Sequence, residues 1–305
     1  MLFAKHALGL EIAADGIKFA QLAGGKAPRL EAGLVAPFAP GTVQLSRREP
    51  NVQNAAAFMS QVREAHLRLL TKEKTVSVSL PDATGRVVLL DLEARFKNRD
   101  EGLDIIRWKL KKSLPFDVSQ VHLDYQLLGE KENGAVSLLV SLISRPVVTQ
   151  YEELLLGAGL EPKYLDFASF NLYRLFEPRL GMADNGAFVT FYGGAMTVLI
   201  FYGGVLSFYR SKETVGDAQN LYREVNSSFL VYNDRSPGQA VTEVFCMAPA
   251  GEAESFRALV AEACGLEPVL LDLERMVTLG SGLTMERGTL HSLAGALGAA
   301  FRSLA

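Results

Sequence analysis

Cysteine is nearly absent from this 305-residue chain: Cys246 and Cys264 are the only two. That excludes a disulfide framework and any Cys-x-x-Cys redox or zinc pair. Histidine is almost as scarce, and His6, His66, His122 and His291 are too scattered for metal-ligand spacing, so no metal is expected. Neither sign of charge dominates. Lysine and arginine total 31 against 34 acidic residues, a net charge of −3, so there is no overall basic field to hold nucleic acid or anionic lipid. The opening, MLFAKHALGLEIAADG, lacks the apolar core and small-residue cleavage site of a secretion signal, which predicts a protein of the reducing cytoplasm. No low-complexity tract or short-period repeat occurs. What remains is an ordinary globular composition, 49% hydrophobic and 21% charged, long enough for two domains or one bilobal unit.

One apolar run needs an explanation. Gly186 to Tyr209 carries no charge over 24 residues, longer than the roughly 20 that span a bilayer. The tetrapeptide FYGG, however, occurs at Phe191 to Gly194 and again at Phe201 to Gly204. Paired glycines weaken a helix and suit tight turns, so three short strands in a meander explain the run better than a membrane span. Val189, Phe191, Met196, Val198, Ile200 and Phe208 supply the β-branched and aromatic residues of such strands.

The same plan opens the chain. Strands are expected at Leu8 to Ala13, Ile17 to Leu22 and Leu30 to Ala36, with turns at Ala14-Asp15-Gly16 and Ala23-Gly24-Gly25-Lys26. The second turn lacks the spacing and the Ser/Thr of a Walker loop. A helix over Val52 to Leu70 and a strand over Thr75 to Leu80 follow. From Arg86 to Ser144 the pattern becomes that of a small α+β insert: strand Arg86 to Leu92, helix Arg99 to Ser113, strands Val121 to Leu128 and Ala135 to Ile143. Asn98 and Glu101 approximate a capping box on that helix, and Leu103, Ile106, Leu110 and Leu114 form its apolar stripe before Pro115 ends it. A helix to Ala158, a strand Lys163 to Leu165 and a helix Phe167 to Leu175 introduced by Asp166 as N-cap complete the first half. After the FYGG meander come a helix Val215 to Phe229, a strand Glu243 to Met247, a helix Glu252 to Cys264, a strand Pro268 to Leu271 and a last helix Thr289 to Leu304. Each half thus runs from meander to helix, strand and helix.

This duplicated plan resembles the actin-like ATPase superfamily, and several segments resemble its PilM branch, a cytoplasmic component of type IV pilus inner-membrane platforms. The segments are LGLEIAADGIKFAQL at Leu8 to Leu22, WKLKKSLPFD at Trp108 to Asp117, LGAGLEPKYLDFASFNLYR at Leu156 to Arg174, the Gly193 to Arg210 meander, and GAAFR at Gly298 to Arg302. The resemblance implies an α/β, ribonuclease H-like two-lobe fold: a first lobe over residues 1–166, including an insert at about 84–144, and a second over 167–305. It also implies a cleft for ATP with Mg²⁺. There the chain departs from the family. Where the first loop reads roughly Gly-x-Asp-x-Gly-Ser, this sequence has Gly9, Glu11, Ala13 and Ala14. The acidic residue of the second loop aligns with Phe191, although Gly193, Gly194 and Thr197 are retained, and the adenosine segment carries Pro249. Glu11, Lys18, Gly193, Gly194 and Thr197 are therefore expected as a vestigial nucleotide site, with no catalytic residue and no bound cofactor.

Other charged and aromatic features have competing readings. Glu11 and Lys18, at strand ends, are ordinarily solvated. Arg95 to Lys112 holds seven basic residues against Asp100, Glu101 and Asp104, either a solvated face or a contact for an acidic partner or the cytoplasmic leaflet. Trp108, the only tryptophan, is core or a partner anchor. In the family, the tail of a PilN-like bitopic inner-membrane protein docks between the first subdomain and the insert, so Trp108, Leu114, Pro115 and Phe116 are expected to bind a partner. The functional expectation is a non-catalytic scaffold at the inner face of the inner membrane, meeting other platform proteins and peripheral to the membrane through its partners. Two alternatives stand beside it. An active ATPase or sugar-kinase-like phosphotransferase needs acidic residues at both loops, where Phe191 discriminates. A GspL-like component of type II secretion would continue into a membrane span, whereas this sequence stops at Ala305.

Overall fold

A computed structural model describes residues 5–25, 28–93, 95–111, 117–130, 134–214 and 217–304. The chain opens with an antiparallel meander, β1 (His6–Ile12), β2 (Gly16–Ala23) and β3 (Arg29–Pro37), followed by α1 (Ala55–Arg68) and β4 (Thr75–Leu80). The insert comprises β5 (Gly85–Leu92), α2 (Arg99–Lys111), β6 (Val121–Glu130) and β7 (Val136–Ser144). Then come α3 (Arg145–Gly157), β8 (Glu161–Phe167) and α4 (Ala168–Leu180). The second meander is β9 (Gly186–Tyr192), β10 (Ala195–Tyr202) and β11 (Val205–Glu213), so the charge-free run forms strands as expected. It leads to α5 (Ala218–Arg235), β12 (Glu243–Met247), α6 (Ala253–Cys264), β13 (Val269–Leu270), β14 (Thr278–Leu279), α7 (Arg287–Ser292) and α8 (Ala294–Leu304). Among the described residues no helix is long and apolar enough to cross a membrane.

Three sheets result. The first has the order β14-β3-β2-β1-β4-β8, the second β11-β10-β9-β12-β13, and the insert β5-β7-β6. In both large sheets an antiparallel meander joins parallel strands through helical crossovers, β1 to β4 and β9 to β12. One apolar core lies between the first sheet and α1 and α3, around Phe19, Phe58 and Tyr151. A second lies under α5 and α6, around Phe208, Phe229 and Phe256. The third joins the halves: Ala20 and Leu22 of β2 meet Phe188 and Leu199 of the second sheet around α4 and α8.

The first two turns of α8 pack tightly against the first sheet and α4 because they are almost all alanine and glycine. Ala294, Gly295, Ala296, Leu297, Gly298, Ala299 and Ala300 are all buried. A Cβ on Gly9 of β1 would overlap the Ala296 carbonyl, and one on Gly298 would overlap the Asn171 carbonyl of α4.

Several local expectations are corrected. α5 runs on to Arg235 because buried Tyr232 continues its stripe and the stop comes only at Ser236-Pro237-Gly238. The single closing helix is two, broken at Leu293, where the Ser292 carbonyl and the Gly295 amide both meet the Tyr192 hydroxyl. Asp166 does not cap α4. It lies in β8 and pairs with Arg302 and with Arg174 at 3.5 Å, while Asp82 accepts the Ser169 N–H at 3.1 Å in the capping role. The insert cap is formed in a shifted version of the expected box: Asn98 Oδ1 accepts from the Glu101 amide at 3.0 Å, while the Glu101 carboxylate accepts at 2.5 Å from the amide of Lys97, one residue before the cap. Much of the basic run is engaged locally rather than presented. Arg95 pairs with Glu130, Arg99 with Asp124, Arg107 with Asp104, and Lys109 donates to the Asp91 carbonyl. Trp108 is not core; it is 68% exposed.

Two substitutions test this packing. Gly298→Val should lower stability by about 3 kcal/mol or more, since the new side chain meets backbone that cannot rotate away. Trp108→Ala should change it by no more than about 0.5 kcal/mol, as for other exposed positions. Urea unfolding of both variants checks the contrast, and a Gly298→Val protein as stable as the parent would refute the close approach of α4 and α8.

Candidate functional site

The cleft between the two meanders holds the first candidate site. In β1 and β2 the antiparallel register sets Glu11 opposite Lys18, and the pair closes at 2.9 Å between Oε1 and Nζ. The expected solvated strand-end charge is instead a carboxylate only 4% exposed. Its other oxygen, Oε2, accepts from the Tyr192 hydroxyl at 2.6 Å. The Ser292 carbonyl stands 2.9 Å from that hydroxyl, but its single proton favours the charged acceptor. The Gly295 amide donates to the same phenol oxygen at 3.2 Å, and Lys18 Nζ lies 5.2 Å from the Tyr192 ring centroid. Burial, reinforced by the Glu11 charge, raises the Tyr192 pKa well above that of a free phenol, so the residue stays a donor.

A second cluster faces the same cavity. Asp82 follows β4 and accepts from the Ser169 hydroxyl and amide at the start of α4, and from the Tyr209 hydroxyl of β11 at 2.7 Å. Burial raises the Asp82 pKa above the usual carboxylate value even though these hydrogen bonds pull it down. The cavity between the clusters is about 250 Å³ and is lined by Glu11, Ala13, Ala14, Lys18, Asp82, Tyr192, Gly193 and Gly194, with exposed Asp15 and Glu213 at its rim. Gly193 and Gly194 have φ of +58° and +76°, the left-handed pair that a two-residue hairpin turn requires.

The structure therefore brings Glu11, Lys18, Gly193 and Gly194 together but not Thr197, which is buried and donates to Ser211 Oγ at 2.9 Å outside the cavity lining. Phe191 is not at the cavity either. It packs in the second core with its ring 6.2 Å from that of Phe256. The residue at that loop which faces the first lobe is Tyr192, one position on. Tyr192, Asp82, Ser169 and Tyr209 escaped the sequence reading, although strand alternation was a usable signal for the first: Ala187, Val189 and Phe191 share one face, so Tyr192 must point to the other.

The second candidate site is a groove of about 820 Å³ between the insert, β8, α4 and the β10–β11 hairpin. Leu127, Leu128 and Leu142 line it from the insert, Tyr164 and Leu165 from β8, Phe170 and Tyr173 from α4, and Phe201, Val205 and Leu206 from the second lobe. Tyr173 and Phe201 stack across the lobes with ring centroids 5.1 Å apart. At its polar end the Arg302 guanidinium pairs with Asp166 and stands 4.3 Å over the Tyr164 ring. Both β8 and β6 are terminal strands of their sheets. Trp108 does not line this groove; with Asn98, Glu101, Asp104 and Ile105 it borders a separate hollow along α2. Leu114, Pro115 and Phe116 lie outside the described residues.

Asp82 makes the cleft pH-sensitive. Because its folded pKa is raised, the folded state binds more protons than the unfolded state above about pH 3.9, and its contribution to stability falls as pH rises through the folded value. Asp82→Asn should remove that downward slope. Urea midpoints measured across acidic to neutral pH would show it, and parallel curves for the two proteins would refute it.

Comparison with known proteins agrees with this architecture. Among solved structures, a PilM–PilN type IV pilus biogenesis complex is similar with a TM-score of 0.82 at 19% identity, covering 98% of each chain. The cytoplasmic domain of EpsL, an inner-membrane component of the type II secretion system of Vibrio cholerae, is similar with a TM-score of 0.54 at 12% identity, over 95% of this chain and 94% of that one. A protein of actin-like ATPase fold from Bacteroides thetaiotaomicron matches with a TM-score of 0.54 at 12% identity, over 90% and 93%. No curated protein matches the chain. The fold is that of the actin-like ATPases. A family model described as type IV pilus assembly protein PilM matches residues 9–198, more than half of the sequence, and the chain accordingly belongs to the PilM family.

Proposed function

We propose that this protein is a scaffold at the cytoplasmic face of a type IV pilus inner-membrane platform, and that it holds the cytoplasmic tail of a PilN-like bitopic membrane protein. The observation that carries this reading is the groove. It offers apolar and aromatic pockets beside two terminal strands, the combination by which an extended peptide is recognised through backbone pairing and alternate side chains. The likeness to a protein solved as a PilM–PilN complex supports the choice of partner. The likeness to EpsL supports a related role in type II secretion as the second reading. Trp108, exposed on α2, and the Leu114-Pro115-Phe116 segment that follows that helix are proposed as part of the partner-binding surface, for the tail or for other platform proteins. Attachment to the membrane is through these partners.

In this reading the protein is not an ATPase. Hydrolysis of ATP is expected at the buffer background, and Mg²⁺-dependent turnover that Glu11→Ala abolishes would return the enzyme reading. The docking claim is tested by titrating a synthetic tail peptide from a PilN-like protein of the same organism into the parent, Phe201→Ala and Phe116→Ala, with circular dichroism confirming that each variant is folded. Loss of an anchoring aromatic should weaken Kd by about fivefold or more. Equal affinities would remove those residues as contacts, and a parent that binds no tail would remove the proposed function.

A further inference from the structure

The fold family implies ATP with Mg²⁺ in the cleft, and the residues present do not fit it. Both oxygens of Glu11 are engaged, Oε1 by the Lys18 ammonium and Oε2 by the Tyr192 hydroxyl. The Gly295 position at the start of α8 lies against the same carboxylate, so closely that a Cβ there would fall 2.5 Å from Oε2. Both oxygens of Asp82 are engaged as well, by Ser169 and Tyr209. Asp15 and Glu213 are exposed at the rim, and among the described residues no three His, Cys, Asp or Glu side chains converge as a metal site. The cavity left between the clusters, about 250 Å³, is below the range of roughly 300–1,000 Å³ usual for ligand pockets.

We infer that these side chains are a built-in latch which shuts the cleft in place of a metal-bridged nucleotide. Its parts are directional. The second lobe supplies two phenol donors, Tyr192 and Tyr209, and the first lobe supplies two carboxylate acceptors, buried Glu11 and half-buried Asp82. Lys18 ion-pairs with Glu11 at 2.9 Å, and the Gly295 amide holds the Tyr192 oxygen from behind. Each phenol bonds a carboxyl group in a partly buried setting, which strengthens a hydrogen bond relative to one in open water. The latch also bears on the tail groove, a consequence that rests on the docking reading above. β11 carries Tyr209 in the latch and Val205 and Leu206 in the groove, while α4 carries Ser169 in the latch and Phe170 and Tyr173 in the groove. A shut cleft therefore keeps the second-lobe wall of the groove in place without nucleotide.

The test is amide hydrogen exchange of the parent and of the Tyr192→Phe/Tyr209→Phe double variant, with and without millimolar Mg·ATP, followed by tail-peptide titration of the same samples. Removing two hydroxyls leaves the ring packing, and circular dichroism with unfolding confirms the fold. The latch predicts that exchange in the two hairpin turns, Ala13 to Gly16 and Gly193 to Gly194, speeds up about tenfold or more in the double variant. In the parent the same amides should be indifferent to Mg·ATP. Unchanged exchange in the double variant, or slowing of the parent by Mg·ATP, overturns the latch. In the titration the double variant should bind the tail at least about fivefold more weakly while Mg·ATP leaves the parent Kd unchanged. Equal binding by an opened double variant overturns the link to the groove. A parent that binds no tail sinks the docking reading instead, and the exchange result still decides the latch.

Discussion

The backbone of α8 lies so close to β1 and α4 that each contact requires a glycine, Gly9 on β1 in the one case and Gly298 on α8 itself in the other, and the geometry of the cleft follows from this. Gly9 admits the Ala296 carbonyl, Gly298 admits the Asn171 carbonyl, and Gly295 admits the Glu11 carboxylate. The alanines and glycines in the first two turns of α8 contribute little side-chain hydrophobic area of their own. The helix contributes position: packed between the first sheet and α4, it brings the amide of its second residue to the place where a first-lobe carboxylate and a second-lobe phenol meet. Widening that helix by a single methyl group at Gly295 would push on the ion pair rather than on a deformable core.

Burying Glu11 is costly, since a carboxylate taken out of water loses several kcal/mol of solvation that one neighbour seldom restores. Here the compensation is shared. Lys18 gives the Coulombic part from the adjacent strand, at no cost in long-range ordering because the β1–β2 register already sets the two residues opposite each other. Tyr192 gives the hydrogen bond from the other lobe, and Asp82 repeats the arrangement with Tyr209. In both cases the donor is a phenol whose burial raises its pKa, so it stays protonated and keeps its role as donor. A surface-exposed version of the same contacts would be screened and weak.

The parts of this arrangement that sequence could reveal are those governed by neighbours along the chain. Glycine pairs between β-branched and aromatic residues mark the Phe191 to Gly194 and Phe201 to Gly204 turns, and the Asn98/Glu101 pair marks the start of α2; both are rules over four residues, and both hold. The lobe-to-lobe contacts obey no such rule. α4 takes its capping carboxylate from Asp82, 87 residues earlier, and Asp166 finds Arg302 136 residues later, so an Asp immediately before a helix reads as a cap when it is in fact an ion-pair partner. The break between α7 and α8 is equally invisible, because the Tyr192 hydroxyl that meets both its carbonyl and its amide comes from the middle of the chain. At Phe191 the strand alternation decides what reaches the cleft: Phe191 lies on the apolar face, and its neighbour Tyr192, one residue on, points to the other.

The groove joins these considerations to recognition. A terminal strand exposes unpaired amides and carbonyls and is a hazard for any protein that leaves it on an open surface. Here the two terminal strands β8 and β6 border the same hollow, walled by α4 and by the hairpin of the other lobe. Walls of that kind limit access to one narrow extended segment, while Phe170, Tyr173, Phe201 and Leu206 give such a segment apolar surface to bury. The backbone bonds would be available to any extended chain, so discrimination has to come from the side-chain walls, and one of those walls belongs to the second lobe. Specificity for a tail is thus tied to how the two lobes are set, and the setting of the lobes is tied to Glu11, Asp82 and the two tyrosines that meet them.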